Sequence, residues 1–277
     1  MIVNKPDQIA SGADTGPPPG LDAPEPADPI RRRGLDGFSV WKLVRDRVLP
    51  LAASLGVVAL LLVILGANPS TAFSALIDGA FGNKFGVADL LVFATILILT
   101  GFAAAIPFSA GMWNIGGEGQ LYVGAIGATA AAFAMPGGVP QWAAATLCVI
   151  AGIAAGAFWG FMAGFPRTRW GANEVIVTLM LTYIALYMSD YAIGLWPSQS
   201  NTTRTIPANT ALPNLLTGTS LNAGVFLGVV AIAGGWLLMF RTGLGFQIRA
   251  LGKNLRAAQL NGVNPGSVQL AAFTIGG

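Results

Sequence analysis

The sequence predicts an all-α fold: a polytopic transmembrane helical bundle of six complete spans and the start of a seventh. Three observations carry this. Of 277 residues, 54% are hydrophobic and 10% are charged, against roughly 25% charged in an ordinary soluble domain. Residues 90–117 and 119–166 contain no Asp, Glu, Lys or Arg, and each stretch exceeds the ~20 apolar residues that cross a bilayer as a helix. The basic residues, finally, gather in three short segments that alternate with these apolar runs.

Residues 1–30 hold seven of the 17 prolines and lack apolar periodicity. Such a composition cannot bury a core, so they read as a disordered tail. Pro17, Pro18 and Pro19 sit where a secretory signal would need an apolar run, which argues against a signal peptide. Residues 31–47 form a basic juxtamembrane segment with Arg31, Arg32, Arg33, Lys42, Arg45 and Arg47. The membrane domain then occupies 48–277, with its first span at 48–66.

A loop with a surface-lying helical piece is expected over 67–88, followed by a second span at 89–113. Pro107 lies inside that span. It removes one helical hydrogen bond, so a neighbouring polar group must satisfy the freed carbonyl. A glycine-rich polar knot, 114–120, leads into a third span at 121–135. The fourth, 142–165, carries Gly152, Gly156, Gly160 and Gly164 at intervals of four, a face without side chains that suits close helix packing. The fifth runs over 173–195 and the sixth over 223–240, joined by a polar loop at 196–222. A polar, basic segment at 241–266 precedes a last apolar stretch, 268–277, too short to span.

Charge sets the expected topology. Apart from Lys5, the basic residues fall in 31–47, 165–173 and 241–256, with only Lys84 and Arg204 elsewhere. Placing those three segments in the cytoplasm requires an even number of crossings between each pair, and the span count supplies four and then two. The N-terminus is therefore expected in the cytoplasm.

Histidine is absent and Cys148 is the single cysteine, which excludes His-based metal sites, His-dependent triads and CxxC pairs. No catalytic residue, metal ligand set, cofactor or nucleic-acid partner is expected. Within the knot, Glu118 is expensive in hydrocarbon and is expected to take Asn114 and Gln120 as partners, with Gly116 and Gly119 permitting tight backbone approach. It has two readings: a cap on the third span or a contact on a translocation pathway. Asn173 and Glu174 stand as N-cap and first-turn acid of the fifth span. In 241–266, helical runs are expected at 246–251 and 255–260, broken at Gly252, with a smooth face at Ala257 and Ala258 suited to docking on a partner.

Three blocks resemble a known family, the permease subunits of bacterial ATP-binding-cassette importers, in the branch for nucleosides and simple sugars. Asn114 to Gln120, read as NIGGEGQ and followed by LYVGA, resembles the nucleoside-type signature; the acid-Leu-Ser-Val-Gly pattern of ribose-type relatives is absent. NEVIVT from Asn173, with Leu181 and Tyr183, resembles a second block. RALGKN from Arg249, with Gly252, Asn254, Ala257, Ala258, Gly262 and Val263, resembles the loop that engages the ATPase subunit.

The resemblance implies a multi-pass protein of the bacterial inner membrane that moves nucleosides or related small polar solutes, with simple sugars as the alternative. It implies an ATPase subunit, a second permease subunit and an extracytoplasmic solute-binding lipoprotein as partners. The chain itself carries no GxxxxGK[ST] phosphate loop, so it is expected to be a transport subunit and not an enzyme. Family members continue for several helices past the coupling loop, and the chain is expected to be C-terminally incomplete. An ion-coupled secondary transporter using Glu118 and Asp190 is the reading from a different class.

Overall fold

A computed structural model describes residues 44–198 and 202–277. The tail at 1–30 and most of the basic segment at 31–47 lie outside the described residues. The described chain is built from helices with two isolated bridge pairs and no sheet. The helices are α1 Leu49–Ile64, α2 Pro69–Phe81, α3 Lys84–Ser109, α4 Gly117–Ala134, α5 Gln141–Trp170, α6 Glu174–Leu195, α7 Val225–Arg241, α8 Gly243–Lys253, α9 Leu255–Leu260 and α10 Pro265–Gly276. The described residues divide into two units, 44–70 and 71–277.

In the first unit, α1 continues a helical turn at Val44–Val48 and carries no charged residue. It is apolar on every face and none of its residues is buried, the composition of a helix with hydrocarbon around it.

Each predicted span coincides with a helix, with shifted ends. α3 begins at Lys84, five residues early, because Asn83 caps it by accepting from the amides of Phe85 and Gly86, each at 2.9 Å. α4 begins at Gly117, so the second half of the knot is already helical. α5 runs past Pro166 to Trp170, and Gly171 ends it in the left-handed conformation at φ 68°. By length and apolarity alone, the stretch Arg45–Ile64 that contains α1, together with α3, α5 and α6, qualifies as crossing helices, and α7 with α8, bent by 72°, forms a fifth if the pair is one span. α4 is not among them, since Glu118 and Gln120 fill its first turn. The protein is a polytopic all-α bundle, and among the described residues the helices that are long and apolar enough by this measure number four or five.

Within the second unit, backbone contacts at small residues set the helix pairings. α4 and α5 run antiparallel with Gly124 and Gly152 backbone to backbone: a methyl group on either would fall 3.2–3.3 Å from the other's carbonyl oxygen. The rest of the stripe faces α10, where a methyl group on Gly164 would lie 2.8 Å from Phe273 Cβ and one on Gly160 would overlap the Phe273 carbonyl. α3 and α7 run parallel, with Gly228 against Thr95 and Gly235 against the Phe102 ring. The main core lies at one end of the unit, where Ile106, Met112, Ile248, Leu251, Val268 and Phe273 close together.

The loops sort into two ends. Ser220 donates to Asp89 at 2.6 Å, and Gln141 donates to the Ala211 carbonyl at 2.9 Å. At the other end, Gly252 packs on the backbone between Ser109 and Gly111. Arg167, Arg169, Arg241, Arg249, Lys253 and Arg256 lie at the second end and Lys84 and Arg204 at the first, the asymmetry expected across a membrane.

Candidate functional site

The knot forms where α3 stops. Pro107 has no N–H, so the Ala103 carbonyl one turn earlier has no helical donor. Asn114 supplies one: its Nδ2 donates to Ala103 O at 2.8 Å and, more weakly, to Gln120 Oε1 at 3.4 Å, while its Oδ1 accepts from the Gly116 amide at 2.9 Å. The link between the helices turns at Gly111, whose φ of 79° suits glycine, and Asn114 folds back onto the helix just left. Asn114 and Gln120 are both buried.

α6 closes the knot from the other side. The Ile115 amide donates to Thr178 Oγ1 at 3.4 Å, and Thr182 donates to the Thr178 carbonyl at 3.0 Å. Gly116 and Gly119 make this approach possible. Methyl groups there would fall 3.1 Å from Thr178 Cβ and 2.9 Å from Thr182 Cα. Thr178, the last residue of the NEVIVT block, and Thr182, which the sequence reading did not single out, are both buried; their i, i+4 spacing on an apolar helix was the available signal.

The predicted partnership of Glu118 with Asn114 and Gln120 does not form. Glu118 is exposed in the first turn of α4, and no hydrogen bond or ion pair to it is seen among the described residues. The reason is register: Gly116, Gly119, Gln120 and Val123 share the inward face of α4, which turns residue 118 outward. An acid there favours the helix N-terminus. The inward polar group is Gln120, and its Nε2 is buried with no hydrogen-bond partner among the described residues. Leaving such a donor unpaired costs roughly 1–3 kcal/mol.

Asn173 caps α6 by accepting from the amides of Val175 and Ile176 at 3.0 and 3.4 Å. Glu174 pairs with Arg167 at 3.5 Å across the α5–α6 turn. Both residues thus hold a helix junction at the basic end and do not join the Asn114–Gln120 cluster.

In 241–266 the helical break falls at Asn254, not at Gly252. Asn254 caps α9 by accepting from the Ala257 amide at 3.0 Å, whereas Gly252 stays helical because only its bare backbone fits against the Ser109 carbonyl. Ala258 is not part of an open face. It is 5% exposed and belongs to the core with Ile248 and Leu251. Ala257 is exposed beside Leu255 and Leu260, and Gly262 turns at φ 80° behind them. Arg249 lies 5.0 Å over the Phe240 ring. Among the described residues no group of three or more Cys, Asp or Glu side chains is placed to hold a metal ion.

The cluster and this amphipathic end segment both lie within residues 86–277, which match the family model described as branched-chain amino acid transport system / permease component. The chain belongs to this permease family. Three relatives show which branch it resembles. A glucose ABC transporter permease protein of Haloferax volcanii is 32% identical over 86% of this chain and 66% of its own length. A guanosine ABC transporter permease protein of Bacillus subtilis is 34% identical over 74% of this chain and 60% of its own. A nucleoside ABC transporter permease protein of Lactococcus lactis subsp. cremoris is 29% identical, covering 79% and 63%. The chain therefore spans about two thirds or less of the length of these relatives. No solved structure matches it. Permeases of this family are membrane components of transport systems, and the bundle of apolar helices agrees with that place.

Proposed function

We propose that the chain is the membrane-spanning permease subunit of an ATP-driven importer for nucleosides or related small polar solutes. The observation that carries the proposal is family membership over 86–277 together with relatives named for guanosine, nucleoside and glucose transport. Asn114, Gly116, Gly119 and Gln120 sit on the solute side of this reading, at a helix break with bare backbone and amide groups. Glu118 lies in the first turn of α4, where its charge favours the helix N-terminus, and Asn173 with Glu174 braces the junction that carries Thr178. Arg249, Gly252, Asn254, Ala257, Ala258 and Gly262 form the segment through which a separate ATPase acts, α8 being seated on the end of α3 and α9 packed against α8 and α10. A second permease subunit completes the pathway, and an extracytoplasmic binding lipoprotein delivers the solute. The protein resides in the bacterial inner membrane with its basic end and N-terminus in the cytoplasm.

The test is uptake by the full-length chain reconstituted in vesicles with its ATPase and binding protein. Labelled guanosine should enter only with ATP present. Uptake driven by a proton or sodium gradient without ATP would favour a secondary transporter and overturn the proposal.

A further inference from the structure

The outer face of α7 ends, at the basic end of the bundle, in two aromatic rings that each lie under a guanidinium. Phe226, Val230, Ala233, Leu237 and Phe240 form an exposed stripe along α7, opposite the Gly228 and Gly235 contacts with α3, and it runs for about 21 Å at 1.5 Å per residue. Trp236 stands beside its last turn. Arg241 lies 5.1 Å over the Trp236 ring, and Arg249 of α8 lies 5.0 Å over the Phe240 ring. We propose that these two arginines hold the phosphate headgroup of an anionic phospholipid whose acyl chains lie along the α7 stripe.

The stripe bears no polar side chain, as a surface in hydrocarbon requires, and it ends where such a surface meets the headgroups, the level at which Trp is favoured. Trp236 and Phe240 are one helical turn apart, so the two rings, and the two charges over them, gather on one side of α7. Neither guanidinium pairs with a carboxylate or makes a hydrogen bond among the described residues: Glu174 is engaged by Arg167, and Glu118 pairs with neither. Arg249 Nη1 is buried without an acceptor, so its charge must be balanced by an anion from outside the chain that reaches the rest of this half-buried side chain. A ring beneath a guanidinium holds its plane and leaves the edge free, and phosphate oxygens accept from that edge two at a time. A carboxylate from a soluble partner balances the charge and leaves the apolar stripe bare. An anionic phospholipid answers both, and basic residues beside membrane helices attract such headgroups.

Native mass spectrometry of the purified full-length chain, released from micelles holding equal amounts of phosphatidylglycerol and phosphatidylcholine, tests this. The wild type should retain phosphatidylglycerol in preference. Arg241→Gln, at an exposed side chain, should leave the unfolding temperature in lipid-free detergent unchanged and lower that retention about fivefold, the share of one basic residue at an anionic surface. Trp236→Leu keeps both charges and removes one ring, and should lower it about twofold. Arg169→Gln removes an exposed charge at the same end that lies over no ring among the described residues, and retention should hold. Glycerol phosphate, the headgroup without its chains, should not displace the lipid. Unchanged retention in Arg241→Gln or Trp236→Leu, an equal loss in Arg169→Gln, no preference over phosphatidylcholine, or displacement by glycerol phosphate would each overturn the assignment. Loss of ATPase capture by Arg241→Gln with lipid retention unchanged would give the two arginines to a protein partner instead.

Discussion

Asn114 donates its side-chain amide to the carbonyl of Ala103 at 2.8 Å, the same carbonyl that Pro107 deprives of a helical partner. A proline that stops a membrane helix and an asparagine that repairs the damage are therefore one device. It ends α3, turns the chain at Gly111 and delivers Gln120 to the interior side of α4.

This pairing predicts non-additive substitutions. Asn114→Leu alone should destabilise the protein by about 1–3 kcal/mol, because a buried carbonyl and the Gly116 amide lose their partner. In a Pro107→Ala background the new N–H can reach Ala103, so the same Asn114→Leu change should cost less. Thermal unfolding of the four proteins in detergent closes the cycle. Equal costs in both backgrounds would show that the proline and the asparagine act separately.

The glycine stripe predicts a contrast between sites that look alike in sequence. Gly160→Val pushes a branched side chain into the Phe273 carbonyl and the Gly277 backbone and should destabilise by about 1–3 kcal/mol or abolish insertion. Gly101, with no atom within 4 Å of an added methyl group, should accept Ala with a gain of up to about 1 kcal/mol from helix propensity. Unfolding temperature and membrane yield report both.

Hydropathy made the long apolar helices α1, α3, α5 and α6 legible, because a lipid-facing segment must be apolar along its whole length whatever packs against it. The polar knot was legible only in part. Charge drew attention to Glu118, yet an exposed first-turn acid needs no interior partner, and the inward position belongs to Gln120 by the Gly116, Gln120, Val123 register. The re-satisfaction of the Pro107 gap was required by sequence, while the identity of its donor was not, since Asn114 reaches back 11 residues through a turn whose shape rests on Gly111. The helix ends moved for local reasons, Asn83 and Asn254 capping where composition alone showed only polar residues.

The two ends of the bundle predict accessibility. In a Cys148→Ser background, a cysteine at Thr219, beside the Ser220–Asp89 hydrogen bond, should react with an impermeant thiol reagent added outside cells. A cysteine at Asn254, at the end that carries Arg249, Lys253 and Arg256, should react only after permeabilisation. Reaction of both from one side would refute the charge-derived topology.

The packing of α8 and α9 changes what substitutions there should do. A docking face must be free before the partner arrives, and Ala258 is not: it is 5% exposed among Ile248, Leu251 and Phe273. Ala258→Glu should therefore bury an unpaired carboxylate and lower the yield of folded protein whether or not an ATPase is present. Gly252→Asp should do the same by forcing α8 away from the Ser109 carbonyl. Leu260 is 83% exposed at the end of α9, so Leu260→Asp should leave unfolding temperature and membrane yield unchanged. Under the transport reading it should still reduce co-purification of the ATPase and slow uptake, because an apolar side chain left in water on an end-lying helix is the natural anchor for a partner groove. Normal ATPase capture by Leu260→Asp, with folding intact, would move the docking contact away from α9.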